Sequence, residues 1–170
     1  MRIYLIGFMG SGKSSMGKEL AHKLGLAFAD LDELIEEKEG KKISEIFETD
    51  GEKRFRETEH DCLISTLQLN NVIISTGGGT PCFFDNMEMI NAKGISIYIK
   101  YNSGILVSRL NANKEKRPLI KQFHDKKELK LFIKELLEKR EKYYLQSKFI
   151  IDGKNINAKR IIKMLEGTIS

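Results

Sequence analysis

Two cysteines, two prolines and three histidines in 170 residues exclude several kinds of protein at once. Cys62 and Cys82 form no C-x-x-C pair and are too few for a disulfide framework, so a reducing cytoplasm is the expected compartment. The histidines are scattered, and a structural zinc site is not expected. No apolar run approaches the roughly 18 residues that a membrane helix needs. Met1-Arg2 leads only into a short apolar run to Met9 and then a Gly/Ser/Lys stretch, without the apolar region and cleavage site of a secretory signal. Proline occurs only at Pro81 and Pro118, and no internal repeat or low-complexity linker divides the chain, so residues 1–170 are expected to form one domain.

What the chain does have is charge, unevenly spread. Residues 1–99 carry 11 basic and 16 acidic side chains, whereas residues 100–170 carry 18 basic and 8 acidic. A basic half suggests an anionic partner, which could be nucleic acid, an anionic membrane or a phosphorylated small molecule. Composition alone does not choose among them.

Hydrophobic periodicity predicts strands at Arg2–Ile6, Leu26–Ala29, Val72–Ser75, Ile95–Ile99 and Phe149–Ile151. Helical patterns lie between them: Ser14–Leu24 ended by Gly25, a short helix with Leu34 and Ile35 broken at Gly40, and a charged stretch through Phe55, Cys62, Leu63 and Leu67. Further patterns cover Ile105–Leu110, about Lys127–Tyr144, and Asn157–Leu165. Short apolar strands alternating with helices need crossover connections, which argues for a three-layer α/β/α sandwich around a five-stranded parallel sheet. The polar, Lys-rich segment 111–124 reads either as a solvated loop or as a mobile lid.

Gly7-Phe8-Met9-Gly10-Ser11-Gly12-Lys13-Ser14 matches G-x-x-x-x-G-K-[ST] between the first strand and the first helix, the context a P-loop requires. The expected fold is therefore that of the P-loop NTPases. Gly10, Ser11 and Gly12 would offer backbone N–H groups to phosphate oxygens at a helix N-terminus, with Ser15 just beyond. Lys13 would neutralise the β- and γ-phosphates of ATP, and the Ser14 hydroxyl would ligate Mg²⁺. A metal-side carboxylate should end an apolar strand. Asp30 is favoured over Asp152, because Asp30-Leu31-Asp32 can send two carboxylates to different tasks at one sheet edge. The string Asn113-Lys114-Glu115-Lys116 lacks the final Asp of a guanine-reading motif, which argues against a GTPase.

Six strings in order then resemble the shikimate kinase family over nearly the whole chain: the P-loop, Asp30-Leu31-Asp32, Gly51-Glu52-x-x-Phe55-Arg56-x-x-Glu59, Gly77-Gly78-Gly79, Arg117-Pro118-Leu119 and Arg140-x-x-x-Tyr144. The resemblance implies transfer of the ATP γ-phosphoryl group to the 3-hydroxyl of shikimate, a step toward chorismate and the aromatic amino acids. It also implies that Arg56 and Arg140 hold the shikimate carboxylate and that Asp32 accepts from the ring hydroxyls and positions or deprotonates the attacking oxygen. Gly78 and Gly79 would approach the acceptor through their backbone, and Arg117 would be the catalytic lid arginine. An acceptor-binding segment is expected at about 31–61 and a lid at about 111–124. Glu59 is expected to orient Arg56, and Phe47 and Phe55 to pack around the pocket. Adenine is expected between Arg109 and the region of Lys154 to Asn157. Ser15 replaces the threonine common in the family and keeps a hydroxyl. Size and family suggest a monomer, with no nucleic-acid or membrane partner.

Two other readings compete. A kinase for another polyol acid such as gluconate shares the P-loop, but the set Asp32, Arg56, Gly77-Gly78-Gly79 and Arg140 is expected to be incomplete there. A non-catalytic, nucleotide-gated nucleic-acid-binding module would use the basic half. Against it, the C-terminal lysines are interleaved with Glu128, Glu135, Glu138 and Glu141, and no aromatic platform accompanies them.

Overall fold

The apolar run Ile3–Ile6 is fully buried because its strand occupies the centre of the sheet, covered on both faces. In the computed structural model, which describes residues 1–112, 120, 123, 125–152 and 155–167, five strands form one sheet. They are β1 (Arg2–Ile6), β2 (Ala27–Asp30), β3 (Val72–Ser75), β4 (Ile95–Lys100) and β5 (Phe149–Asp152), in the order β2-β3-β1-β4-β5. Every pairing is parallel. The expected α/β sandwich therefore forms, and the edge strands β2 and β5 carry the exposed positions that the central ones lack.

Parallel neighbours demand crossovers, and the described helices supply them. They are α1 (Lys13–Leu24), α2 (Leu31–Glu39), α3 (Ile43–Thr49), α4 (Gly51–Ser65), α5 (Asn86–Lys93), α6 (Ser103–Ala112), α7 (Lys126–Tyr144) and α8 (Ala158–Leu165). Among the described residues no helix is long and apolar enough to cross a membrane.

The strands and α1 match the sequence reading to within one or two residues, and two helical features differ from it. The charged stretch through Phe55, Cys62, Leu63 and Leu67 is α4 with a 3-10 turn at Thr66–Gln68 after it, and a separate α3 precedes it, parted from α4 at Asp50 and at Gly51, whose φ of 80° interrupts the α conformation. Helix α5 has no counterpart in the sequence reading. It buries Met87 and Ile90, a pair too short to set up a clear helical period.

Polar groups at the N-terminal end of the strands find partners across the sheet end. The Tyr4 hydroxyl meets Thr66 Oγ1 at 3.1 Å, and Arg2 donates to the carbonyls of Leu67, Leu69 and Lys93. Gly94 opens β4 against this corner: a Cβ there would stand 2.6 Å from Tyr4 Cε2 and 2.8 Å from the Arg2 carbonyl oxygen. Tyr4 is fully buried and the other atom is backbone, so neither can retreat cheaply. Gly94→Ala is expected to cost about 1–3 kcal/mol, read as a lower urea midpoint at unchanged slope.

Candidate active site

The C-terminal ends of β1, β2 and β3 open onto one cleft, where the chain leaves each strand for a loop. After β1, Gly10 and Gly12 adopt positive φ of 78° and 86°, a conformation that lets the loop curl back over the start of α1. No side chain caps α1 at Gly12, so the first-turn N–H groups face the cleft with the positive end of the helix dipole. Lys13 is buried and folds back over the loop, donating to the carbonyls of Gly7 at 2.8 Å and Phe8 at 3.0 Å.

Sheet register assembles the next group. Asp30 pairs with Ser75 across β2 and β3, and Ser75 pairs with Leu5 of β1. The Ser14 hydroxyl reaches this line of residues, donating to Asp30 Oδ2 and lying 3.2 Å from Ser75 Oγ. The other Asp30 oxygen accepts from the Asp32 N–H at 3.0 Å and caps α2. One carboxylate thus faces the P-loop serine while Asp32, two residues on, faces the cleft. The cleft holds a cavity of about 360 Å³ bounded by Met9, Gly10, Gly12, Lys13, Ser14, Ser15, Asp32, Ser75, Thr76, Gly77, Gly78 and Arg109. Arg109 reaches the loop from α6, donating to the Ser11 carbonyl at 3.3 Å with its guanidinium 4.2 Å from the Tyr101 ring.

On the far side of the glycine run, α4 buries an ion pair. Arg56 is 7% exposed and Glu59 1%, and Arg56 Nη1 donates to Glu59 Oε2 at 2.7 Å. The other Glu59 oxygen accepts from Thr80 Oγ1 at 2.6 Å. Phe55 and Phe83 flank the guanidinium at 4.9 and 4.1 Å, and Phe47 stacks on Phe55 with centroids 4.5 Å apart. A Cβ on Gly79 would stand 2.6 Å from Arg56 Nη1, which only glycine avoids. Arg140 on α7 comes to the same run from the other side, with Nη1 3.5 Å from where a Gly78 Cβ would be.

Asp32 is the perturbed acid of the cleft. Protein crowding round the carboxyl, then the charge of Asp30, push its pKa from 3.8 up to about 6, against the opposing pull of Lys13. Its side chain still meets cleft water, so the effect on stability is smaller than full burial would give. Cys82, half-buried beyond the glycines, is pushed up to about 11 by burial and stays a neutral thiol.

The family model described as shikimate kinase matches residues 9–169. The chain belongs to the shikimate kinase family. Membership makes it an ATP-dependent kinase with an alcohol acceptor. It is 44% identical to the shikimate kinase of Parabacteroides distasonis over 155 residues, covering 91% of this chain and 89% of that protein. The crystal structure of shikimate kinase from Bacteroides thetaiotaomicron superposes with a TM-score of 0.92 at 39% identity, covering 98% of both chains. Shikimate kinase from Acinetobacter baumannii, solved in complex with shikimate, gives 0.88 at 30% identity over 99% of this chain and 95% of that one. A deoxyadenosine kinase from M. mycoides, 17% identical with a TM-score of 0.60 over 99% of both chains, shares the fold.

Of the residues expected from the P-loop motif and the family resemblance, Gly10, Gly12, Lys13, Ser14, Ser15, Asp32, Gly78 and Arg109 line this cavity, Ser11 and Asp30 bond to Arg109 and Ser14 at its edge, and Arg56, Gly79 and Arg140 meet at the adjoining glycine run. Arg117, Lys154 and most of the 111–124 segment lie outside the described residues. Asn157 caps α8 by accepting from the Arg160 N–H at 3.1 Å. Asp152 ends the edge strand β5, where its carbonyl accepts from Arg160 at 3.2 Å. Sequence reasoning gave no role to Ser75, Thr76, Thr80 or Tyr144. A hydroxyl residue at the crevice end of a buried strand was the available signal for Ser75.

Asp32 also makes stability depend on pH. Below about pH 4 it is protonated in both states, and between about 4 and 6 the folded chain keeps a proton that the unfolded chain has lost. Rising pH through that window therefore removes stability. Asp32→Asn is expected to raise the melting temperature relative to the unsubstituted chain at pH 8 and to leave it unchanged at pH 4.

Proposed function

We propose that this enzyme transfers the γ-phosphoryl group of ATP to the 3-hydroxyl of shikimate, giving shikimate 3-phosphate and ADP on the route to chorismate. The observation that carries the reading is the meeting of Arg56 and Arg140 on the glycine run, 2.6 and 3.5 Å from where Cβ atoms on Gly79 and Gly78 would stand. Two guanidiniums offer planar forks for one carboxylate. Asp32, on the cleft wall with Lys13, Ser14 and Gly78, is placed to accept from hydroxyls of the same ligand.

ATP would lie along Gly10 to Ser15 with its base toward Arg109. Lys13 would exchange the carbonyls of Gly7 and Phe8 for phosphate oxygens, and the first turn of α1 would supply further N–H donors. Ser14 and Asp30 offer a hydroxyl and a carboxylate, the hard oxygen donors Mg²⁺ takes while it keeps waters and binds substrate phosphates. Among the described residues no group of three or more His, Cys, Asp or Glu forms a denser cage, and Mg²⁺ in such a site needs none. When bound, the metal would neutralise charge on the β- and γ-phosphates. Asp32 would orient the attacking hydroxyl and take its proton, a role suited to a carboxyl titrating near 6. Arg117 belongs to the proposal as the lid arginine. A single domain acting as a monomer in the cytoplasm, with an acceptor-binding segment at about 31–61, completes it.

ADP release in Mg·ATP should rise with shikimate and stay at the acceptor-free level with gluconate; no response to shikimate would overturn the reading. Two substitutions separate the roles. Arg140→Ala should raise the shikimate KM roughly tenfold or more by removing a charge-assisted contact. Lys13→Ala should lower kcat roughly a hundredfold or more by removing charge stabilisation in the transition state. Equal losses in both parameters from both variants, with the fold intact, would contradict the assignment.

A further inference from the structure

Tyr144 is fully buried at the end of α7, its ring 5.2 Å from that of Tyr98. A phenylalanine would fill the same space, so the hydroxyl calls for its own explanation. It donates to the Gly78 carbonyl, and Arg140, one helical turn earlier, sets its positive charge beside the same phenol. The single O–H is thereby committed to a backbone carbonyl of the acceptor site. Burial pushes the phenol well above its usual range, so it remains a donor at any working pH. Gly78 has little freedom on its other side, because a Cβ there would stand 3.0 Å from the Met9 N–H nitrogen of the P-loop.

We propose that Tyr144 is a positioning residue for the acceptor: its hydroxyl holds the Gly78 carbonyl beside the Arg140 guanidinium, whose Nη1 lies 3.5 Å from where a Gly78 Cβ would be, so that α7 and the glycine run present one fixed face to the acceptor carboxylate. The inference rests on the shikimate reading given above. Positioning of this kind is expected to act on acceptor binding, since Gly78 and Arg140, the groups beside the phenol, belong to the acceptor side of the site. The neighbouring Tyr98 supplies a comparison. Its hydroxyl donates to Glu141 Oε1 at 3.3 Å, which Lys100 also holds at 3.0 Å, and that contact anchors α7 to β4 without reaching Gly78.

The test compares Tyr144→Phe and Tyr98→Phe with the unsubstituted enzyme, reading KM for shikimate and for ATP, kcat and melting temperature. Tyr144→Phe is expected to raise the shikimate KM about three- to tenfold, the loss typical of one buried hydrogen bond, with the ATP KM unchanged. Tyr98→Phe is expected to leave both KM values unchanged even where its melting temperature falls as far. An unchanged shikimate KM in Tyr144→Phe, equal losses for both substrates, or the same loss in Tyr98→Phe would each overturn the inference while the unsubstituted enzyme still uses shikimate. Absence of shikimate-dependent ADP release from the unsubstituted enzyme would overturn the acceptor reading and this inference with it.

Discussion

The register of three parallel strands is the constraint on which the rest of the cleft depends. Asp30 lies beside Ser75 and Ser75 beside Leu5, two residues before the P-loop begins. A register slip of one residue would turn each of these side chains to the opposite face. The Ser14 hydroxyl, carried in on α1, then finds a carboxylate and a second hydroxyl from two separate strands. Buried Val, Ile and Leu side chains hold that register, so the hydrophobic core determines where these three oxygen-bearing side chains meet. The same edge projects Asp32 from the start of α2 and the glycine run from the end of β3, toward the P-loop.

A second dependence runs through Glu59. Taking an arginine out of water is costly, and Arg56 is tolerated in its place because Glu59 at 2.7 Å, Glu52 at 3.3 Å and two aromatic faces surround it. Glu59 is held in turn by Thr80, whose carbonyl accepts from Asn86 Nδ2 at 2.8 Å. The chain of contacts reaches His60, whose Nδ1 lies 2.6 Å from Asn86 Oδ1. A guanidinium fixed in this way would lose little freedom on binding the proposed acceptor carboxylate, which is the physical content of preorganisation.

Much of this was legible in the sequence because local chemistry signals it. The P-loop glycines, the Asp-x-Asp pair and the three-residue spacing of Arg56 and Glu59 are read from neighbours along the chain. The central strands were legible because burial on both faces leaves unbroken apolar runs. What was hidden depends on distant parts of the chain meeting. Tyr144 and Gly78 are 66 residues apart, and no periodicity announces a phenol bonded to a backbone carbonyl. The raised pKa of Asp32 arises first from burial among parts of the chain that meet only in the fold, then from the charge of Asp30, with a smaller push from Glu59, 27 residues away. The α3–α4 break was hidden because both helices are charged and amphipathic and only the backbone at Gly51 parts them.

The uneven charge of the two halves acquires a physical meaning in the cleft. The acidic half brings Asp30 and Asp32 to the sheet edge, and the basic half brings Arg109 and Arg140, while Lys13 and Arg56 are cations within the acidic half. Most of the remaining excess lies on exposed helix faces such as that of α7, where lysines alternate with glutamates. The central claim is that paired guanidiniums on the glycine run select a carboxylate-bearing acceptor. Calorimetric titration of shikimate and of its methyl ester into the enzyme with Mg·ADP tests it most directly. The account predicts saturable binding of shikimate and binding of the ester weaker by about tenfold or more, the loss of a charge-assisted fork. Equal affinity for acid and ester would contradict it.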